Sequence, residues 1–302
     1  MQASWKGYRI KMKRILVISG KGGTGKTFLT ASLAAVARNA VMVDCDVDAA
    51  NLYLLLHPNI RKTEVFFGGN EAEIDQDKCI QCGKCLAICR FEAIKINKSK
   101  KGLIEKIVID PFSCEGCGAC SYGCPVEAIN MAEKESGKWF ISDTKYGPFV
   151  FAKLGIAAEN SGKLVSKIKE EAYKIAETRQ AEHILIDGPP GIGCPVIASM
   201  SGVDLALVVT EPTLSGISDM QRVIEVAEFF GVETKVIINK YDINMENTGK
   251  IKEICEKKYI EVAGQLPFSK KVIQSVVKGI PYTEFSSDSI AGDIAGIWER
   301  IK

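Results

Sequence analysis

The sequence predicts an α/β protein with a doubly wound, mostly parallel sheet, interrupted by a small inserted α+β domain. Two observations carry this. Uninterrupted apolar runs, which suit strands buried on both faces, alternate with helical stretches that supply the crossovers a parallel sheet requires. Between the second strand and the third lies a segment with two copies of one cysteine pattern, each copy too small to bury a core without metal or its twin. The 302 residues carry 39 Lys and Arg against 37 Asp and Glu, a balance that gives no nucleic-acid surface. No apolar run approaches the roughly 20 residues that span a bilayer, so no membrane partner is expected. The opening Met1-Gln-Ala-Ser-Trp-Lys lacks the apolar stretch of a signal peptide, and a cytoplasmic location is expected.

The elements follow in order. Met12-Lys13-Arg14 before an apolar strand reads as a natural beginning, with residues 1–11 as an extension. The first strand, Ile15 to Ser19, runs into Gly20-Lys21-Gly22-Gly23-Thr24-Gly25-Lys26-Thr27 and a helix from Thr27 to Arg38. This is a full phosphate-loop pattern in its strand, loop, helix context. Gly20, Gly22, Gly23 and Gly25, with Thr24, let backbone N–H groups turn inward onto phosphate oxygens. The helix N-terminus, with Phe28 in its first turn, adds positive potential, Lys26 neutralises phosphate charge, and Thr27 is the Mg2+ ligand. Val41 to Asp44 is the second strand, followed by the acidic run Asp44-Cys45-Asp46-Val47-Asp48. Asp44 and Asp48 are open between a direct role and a helix cap.

The insert, residues 65–145, holds Cys79-x-x-Cys82-x-x-Cys85-x-x-x-Cys89 and Cys114-x-x-Cys117-x-x-Cys120-x-x-x-Cys124. The repeat extends beyond the thiols: Ile74-Asp75 matches Ile109-Asp110, and Glu92-Ala93-Ile94 matches Glu127-Ala128-Ile129, at one fixed offset. A three-residue step lets successive thiolates wrap one iron-sulfur cube, while the fourth reaches the neighbouring one, so two four-iron clusters are expected. Zinc sites and disulfides are the alternatives; zinc sites usually pair two Cys-x-x-Cys units across a longer gap, and disulfides do not suit a cytosolic chain. Lys98 to Lys101 forms a short basic run between the halves, a solvated loop or a docking patch for an acidic partner.

After the insert come a helix from Lys163 to Thr178, strands at Ile184 to Asp187, Leu205 to Thr210 and Val236 to Asn239, and helices at Ser218 to Phe230 and Thr248 to Lys258. Polar signals sit at the strands' carboxyl ends, where such sheets bind ligands: Asp44, Asp187 and Asn239. Ile290, Ile294, Ile297, Trp298 and Ile301 space an apolar face along the last helix, which is expected to pack on the core because its polar face mixes acids with only Arg300 and Lys302. His57 and His183 read as structural or surface groups, and Cys45, Cys194 and Cys255 as buried thiols.

Two resemblances add to this reading. The insert resembles the bacterial two-cluster ferredoxin, which implies Cys79, Cys82, Cys85 and Cys124 on one 4Fe-4S cluster and Cys114, Cys117, Cys120 and Cys89 on the other. It departs at Arg90, where Pro125 stands in the second copy, a change that bears on a potential without removing a cluster. The remainder resembles the MinD, ParA and nitrogenase iron-protein group of ATPases, whose deviant phosphate loop carries a lysine where Lys21 stands. That resemblance implies a homodimer closed on ATP, with Lys21 reaching the partner's nucleotide. Asp46 matches the residue that positions the attacking water, so Lys21, Lys26 and Asp46 form the expected catalytic set. Asp187 to Gly191 matches the magnesium-sensing acid and second switch, with the Gly191 N–H able to turn toward the terminal phosphate. Asn239 and Pro267 stand where the group holds adenine, against the guanine-reading pattern that Asn239-Lys240-Tyr241-Asp242 matches literally. Cys194 lies where the nitrogenase iron protein has one of two bridging cysteines, but the second has no counterpart.

The expected cofactors are ATP or ADP, Mg2+ and two 4Fe-4S clusters. The leading expectation is an ATP-gated electron carrier acting on a protein redox partner. The alternatives are an ATPase that assembles or delivers iron-sulfur or metal cofactors to apo-proteins, and a MinD-like spatial organiser. The insert is expected to leave near Val65 and to return near Tyr146, giving an ATPase of residues 1–64 and 146–302.

Overall fold

The structure, a computed structural model, describes residues 12–98, 104–155 and 160–302. The expected extension at residues 1–11 and all of the basic run except Lys98 lie outside the described residues. In chain order the elements are β1 (Lys13–Ser19), α1 (Lys26–Val36), β2 (Ala40–Asp44), α2 (Tyr53–Leu56), β3 (Asn59–Ile74), α3 (Lys84–Ile88), β4 (Ile94–Lys98), β5 (Ile104–Ile109), α4 (Ala119–Tyr122), β6 (Ile129–Thr144) and β7 (Gly147–Leu154). They continue as α5 (Ser161–Arg179), β8 (His183–Pro190), α6 (Cys194–Met200), β9 (Leu205–Thr210), α7 (Leu214–Phe229), β10 (Glu233–Asn239), a 3-10 turn (Tyr241–Ile243), α8 (Met245–Lys257), β11 (Glu261–Leu266), α9 (Lys270–Val277), α10 (Tyr282–Phe285) and α11 (Ser289–Ile301).

Two compact units result. Of the described residues, one contains those up to Glu64 together with Trp139–Lys153 and Ser161–Lys302, and the other those of Val65–Lys138 and of Leu154–Asn160. The first unit resumes at Trp139, within β6, which runs on to Thr144.

The sheet order is β11-β10-β9-β1-β8-β2-β7-β6-β3, and every pair from β11 through to β7 is parallel. β1 is central because both its faces are apolar: Ile15, Leu16, Val17 and Ile18 have no exposed surface. It pairs with β8 on one side, Leu16 opposite Ile186, and with β9 on the other, Leu16 opposite Ala206. α1 buries Phe28, Leu29, Leu33 and Ala34 in the same core as Ile15, Val17, Leu185 and Leu207. Each such Leu contributes about 1.5–3 kcal/mol by leaving water. α11 lays Ile290, Ile294, Ile297, Trp298 and Ile301 into that core, as its spacing predicts. This α/β arrangement sets the carboxyl ends of β1, β2, β8, β9 and β10 side by side.

The second unit is built as a repeat. β4 and β5 pair antiparallel, Ile94 opposite Ile109. Among the described residues its buried cluster holds Ala72, Cys85, Ile94, Ile107, Cys120 and Ile129, with the thiols of Cys79, Cys89, Cys114 and Cys124 packed around it. Backbone geometry repeats with the sequence. Asp75 N donates to Ala128 O at 2.8 Å and Asp110 N to Ala93 O at 2.7 Å. Glu92 and Glu127 both take left-handed conformations, φ 52° and 50°. The pair Gln81 and Gly116 does the same, and Gly116 alone comes so close to Asn70 that a Cβ would lie 2.0 Å from its carbonyl oxygen.

Candidate functional site

Between β1 and α1 the phosphate loop holds Gly23 at φ 79° and Gly25 at φ 95°, conformations open to glycine. A Cβ on Gly20 would meet Asp219 at 2.4 Å, and one on Gly25 would meet Asn239 Nδ2 at 2.3 Å. Gly22 and Gly23 face open space. α1 begins without a side-chain cap and with no acid in its first turn, so its leading N–H groups remain for an anion. The Thr24 hydroxyl is buried without a partner in the same loop. Phe28 puts its ring into the core against Tyr282, 5.9 Å between centroids, and only its backbone belongs to this turn.

Two acids flank the loop lysine, Asp187 on β8 and Asp46 just past β2. The Lys26 ammonium, 7% exposed, lies 3.7 Å from Asp46 Oδ2 and 3.9 Å from Asp187 Oδ1. Thr27 Oγ1 donates to Asp187 Oδ2 at 2.7 Å, and Thr30 Oγ1 lies 2.9 Å from Asp187 Oδ1. Burial raises the Asp187 pKa, against the opposing pull of Lys26, Thr27 and Thr30. Asp44 acts on the backbone beside it, its carboxylate accepting from the N–H groups of Asp46 at 3.0 Å, Asn51 at 3.2 Å and Leu52 at 3.1 Å. Burial, with Asp187 nearby, pushes its pKa up to about 8. Asp44 therefore shapes the loop that presents Asp46, while Asp48 lies exposed.

The remaining expected residues divide. The Gly191 N–H donates to Ser19 O at 3.1 Å, so it reaches a phosphate only after the peptide turns. Asn239 Nδ2 donates to Thr24 O at 2.7 Å, tying β10 to the loop, and Pro267 follows β11 half-buried. Asp242 accepts the Phe268 N–H at 2.7 Å, which engages the acid of the Asn-Lys-x-Asp sequence with the chain itself. Lys21 is bound within its own chain: its ammonium lies 2.7 Å from Glu211 Oε1, 2.9 Å from Ser215 Oγ and 3.1 Å from Thr213 Oγ1. Lys240 meets the other Glu211 oxygen at 2.9 Å. Burial works to raise the Glu211 pKa, but the two ammonium groups hold it below the ordinary carboxylate range. Sequence reasoning missed Glu211, although its position just past the carboxyl end of β9 was the available signal.

Cys45 and Cys255 are buried, as expected, but Cys194 is exposed. It begins α6 directly after the Gly191-Ile192-Gly193 turn, where the chain has just left the sheet. His57 caps α2, with Nε2 2.7 Å from Gly279 O, and His183 packs half-buried on Trp298.

In the second unit the eight cysteines line two small cavities. Cys79, Cys82, Cys85 and Cys124 line one; Cys114, Cys117, Cys120 and Cys89 line the other. Each set mixes three thiols of one half with the fourth of its twin. Among the described residues no three His, Cys, Asp or Glu side chains converge on a point suited to one metal ion.

Residues 15–282 match the family model of the CobQ/CobB/MinD/ParA nucleotide binding domain. An uncharacterized protein of Methanocaldococcus jannaschii is 37% identical over 96% of this chain and 96% of its own length. The septum site-determining protein MinD of Synechocystis is 26% identical, covering 93% of this chain and 86% of its own. Among solved structures, the cell division ATPase MinD of Pyrococcus furiosus superposes with a TM-score of 0.57 at 18% identity, covering 96% of this chain and 98% of its own. MinD of Pyrococcus horikoshii, complexed with Mg-ADP, gives 0.56 at 19% identity, with 96% of each chain covered. These two structures share the α/β fold.

Proposed function

This chain belongs to the CobQ/CobB/MinD/ParA nucleotide-binding family, and from that premise we propose that it is an Mg2+-dependent ATPase carrying two 4Fe-4S clusters, whose nucleotide state is coupled to electron transfer. The observation that carries the cluster reading is the pair of cavities, each walled by four cysteines in the crossed arrangement. In a cube each thiolate binds its own iron, so the four sulfurs stand around a volume rather than at a point, and the donor set fits. Cys79, Cys82, Cys85 and Cys124 would hold one cluster, and Cys114, Cys117, Cys120 and Cys89 the other. Such clusters, when bound, store and pass single electrons.

The nucleotide reading rests on this chain's own groups. Lys26, now flanked by Asp46 and Asp187, exchanges those carboxylates for phosphate oxygens. Thr27 would hold Mg2+, oriented from behind by Asp187. Asp46, presented by the loop that Asp44 braces, orients the attacking water. Asn239 and Pro267 border the base, and the engagement of Asp242 with Phe268 N speaks for adenine over guanine. Closure of an ATP-bound homodimer requires Lys21 to exchange Glu211 for the partner's phosphate. β3, which follows the Asp46 loop in the chain, continues past Glu64 into the cysteine unit and offers a covalent route for coupling.

A second reading is a MinD-like organiser in which the clusters are structural. The septum-site and cell-division names of the Synechocystis and Pyrococcus relatives favour it over electron transfer. Delivery of clusters to apo-proteins is the third. Anaerobic purification followed by iron, labile-sulfide and phosphate-release assays tests the common part. Loss of ATP hydrolysis in Lys26→Ala with retained cluster absorbance is expected. An iron-free, sulfide-free preparation after anaerobic reconstitution would overturn the cluster reading. Liposome binding that follows ATP favours the organiser, and transfer of intact clusters favours delivery.

A further inference from the structure

The walls of the two cysteine cavities correspond position by position under the repeat except at Pro125, whose counterpart Arg90 lines neither, and two of the positions that differ carry a charge. Ile74 answers Ile109, Ile107 answers Ala72, and Ile129 answers Ile94. The fourth ligands, Cys124 and Cys89, occupy equivalent places. Lys84 in the first wall stands where the second has Ala119, and Glu115 in the second stands where the first has Ile80. One wall therefore includes an exposed lysine and the other an exposed glutamate. A further contact acts in the same direction: the Ala128 N–H donates to Cys124 Sγ at 3.3 Å, drawing charge from a ligand of the Lys84 side.

We propose that the Lys84-walled cavity is the higher-potential site, so that the first electron delivered by a one-electron reductant rests there and the second enters the Glu115-walled cavity. This rests on the cluster reading above. Adding an electron makes a cluster more negative, so a nearby cation and an N–H donated to sulfur favour reduction, whereas a nearby anion opposes it. Other charges are less well placed. Lys78 is paired with Asp75 at 3.5 Å, and Arg90 follows Cys89 without entering its cavity wall. Lys134 donates to the carbonyls of Pro111 at 2.7 Å and Cys114 at 3.4 Å and offsets Glu115 in part. Among the described residues Lys84 forms no ion pair, so its charge stands uncompensated on the first wall.

The test is an anaerobic potentiometric titration of the full chain, reconstituted with iron and sulfide and followed by electron spin resonance. Lys84→Gln and Glu115→Gln are compared with the parent at equal iron content; both side chains are exposed, so folding is not at stake. Two reduction waves are expected. Lys84→Gln should shift only the higher midpoint downward, Glu115→Gln only the lower one upward, and the double variant should narrow the gap. A downward shift of the lower midpoint in Lys84→Gln, no shift in either variant, or a single unresolved wave in the parent would overturn the assignment while leaving two clusters in place. Absence of iron and sulfide after reconstitution would remove the cluster reading itself, a separable outcome.

Discussion

Lys26 and Asp46 lie 3.7 Å apart, and the proposed function gives them different ends that substitution separates. Lys26→Ala removes the charge proposed to bind phosphate, and nucleotide affinity should fall by about 100-fold or more, read by equilibrium binding of a fluorescent ATP analogue. Asp46→Asn should leave that affinity nearly intact and slow phosphate release by about 10²–10⁴-fold, the range for losing a positioned catalytic group. If both parameters fell together in Asp46→Asn, its role as water-positioner would be wrong. Gly25→Ala places a Cβ against Asn239 at a left-handed position and should destabilise the first unit by about 1–3 kcal/mol, measured by denaturant unfolding. The loop, its lysine and the acids at the strand ends were legible because phosphate chemistry demands fixed residue types at fixed spacing. Glu211, the bracing role of Asp44 and the exposure of Cys194 were not. Each depends on which backbone or side chain another strand brings alongside, and no local pattern encodes that.

The same division holds for elements. β1, β2, β8, β9 and β10 announced themselves as apolar runs because both faces are buried. β7 and β11 did not: β7 opens with Gly147-Pro148, and β11 carries Gly264 and Gln265 in a short run. β3 and β6 exceed any apolar run since most of their positions are exposed or half-buried, and their length comes from strand pairing. α11 was read correctly from its stripe, and its start is set by Asp288, which accepts from Ala291 N and from the Tyr282 hydroxyl at 2.8 Å. Although desolvation works to raise its pKa, the bonds from Tyr282, Ser286 and Lys271 lower it to about 2. A carboxylate depressed in the folded state contributes stability that is present above its unfolded pKa, about 3.9, and is lost as pH falls through its folded value. Asp288→Ala should therefore cost about 1 kcal/mol at neutral pH, and the difference from the parent should shrink below about pH 4. Thermal unfolding across pH 2 to 7 checks this, and a difference independent of pH would assign the cost to packing.

Taken whole, the molecule joins a nucleotide unit and a cysteine unit. The duplicated pattern was visible in the sequence down to Glu92 and Glu127, but the crossed grouping of the thiols arises in this chain only through folding of the two halves together. That grouping predicts that Cys124→Ala and Cys89→Ala each lose about half the iron, each from the set named for the opposite half. Loss of the second set's signals in Cys124→Ala would refute it. Whether one chain couples ATP to two clusters is decided by the reduction potentials and spin-resonance spectrum of the anaerobically purified protein without nucleotide, with ADP and with a non-hydrolysable ATP analogue. Coupling predicts two reducible clusters whose midpoints shift between the ADP and ATP-analogue states, with the shift abolished in Lys26→Ala. Two clusters indifferent to nucleotide in a protein that still binds and hydrolyses ATP would contradict the coupling and leave the clusters structural.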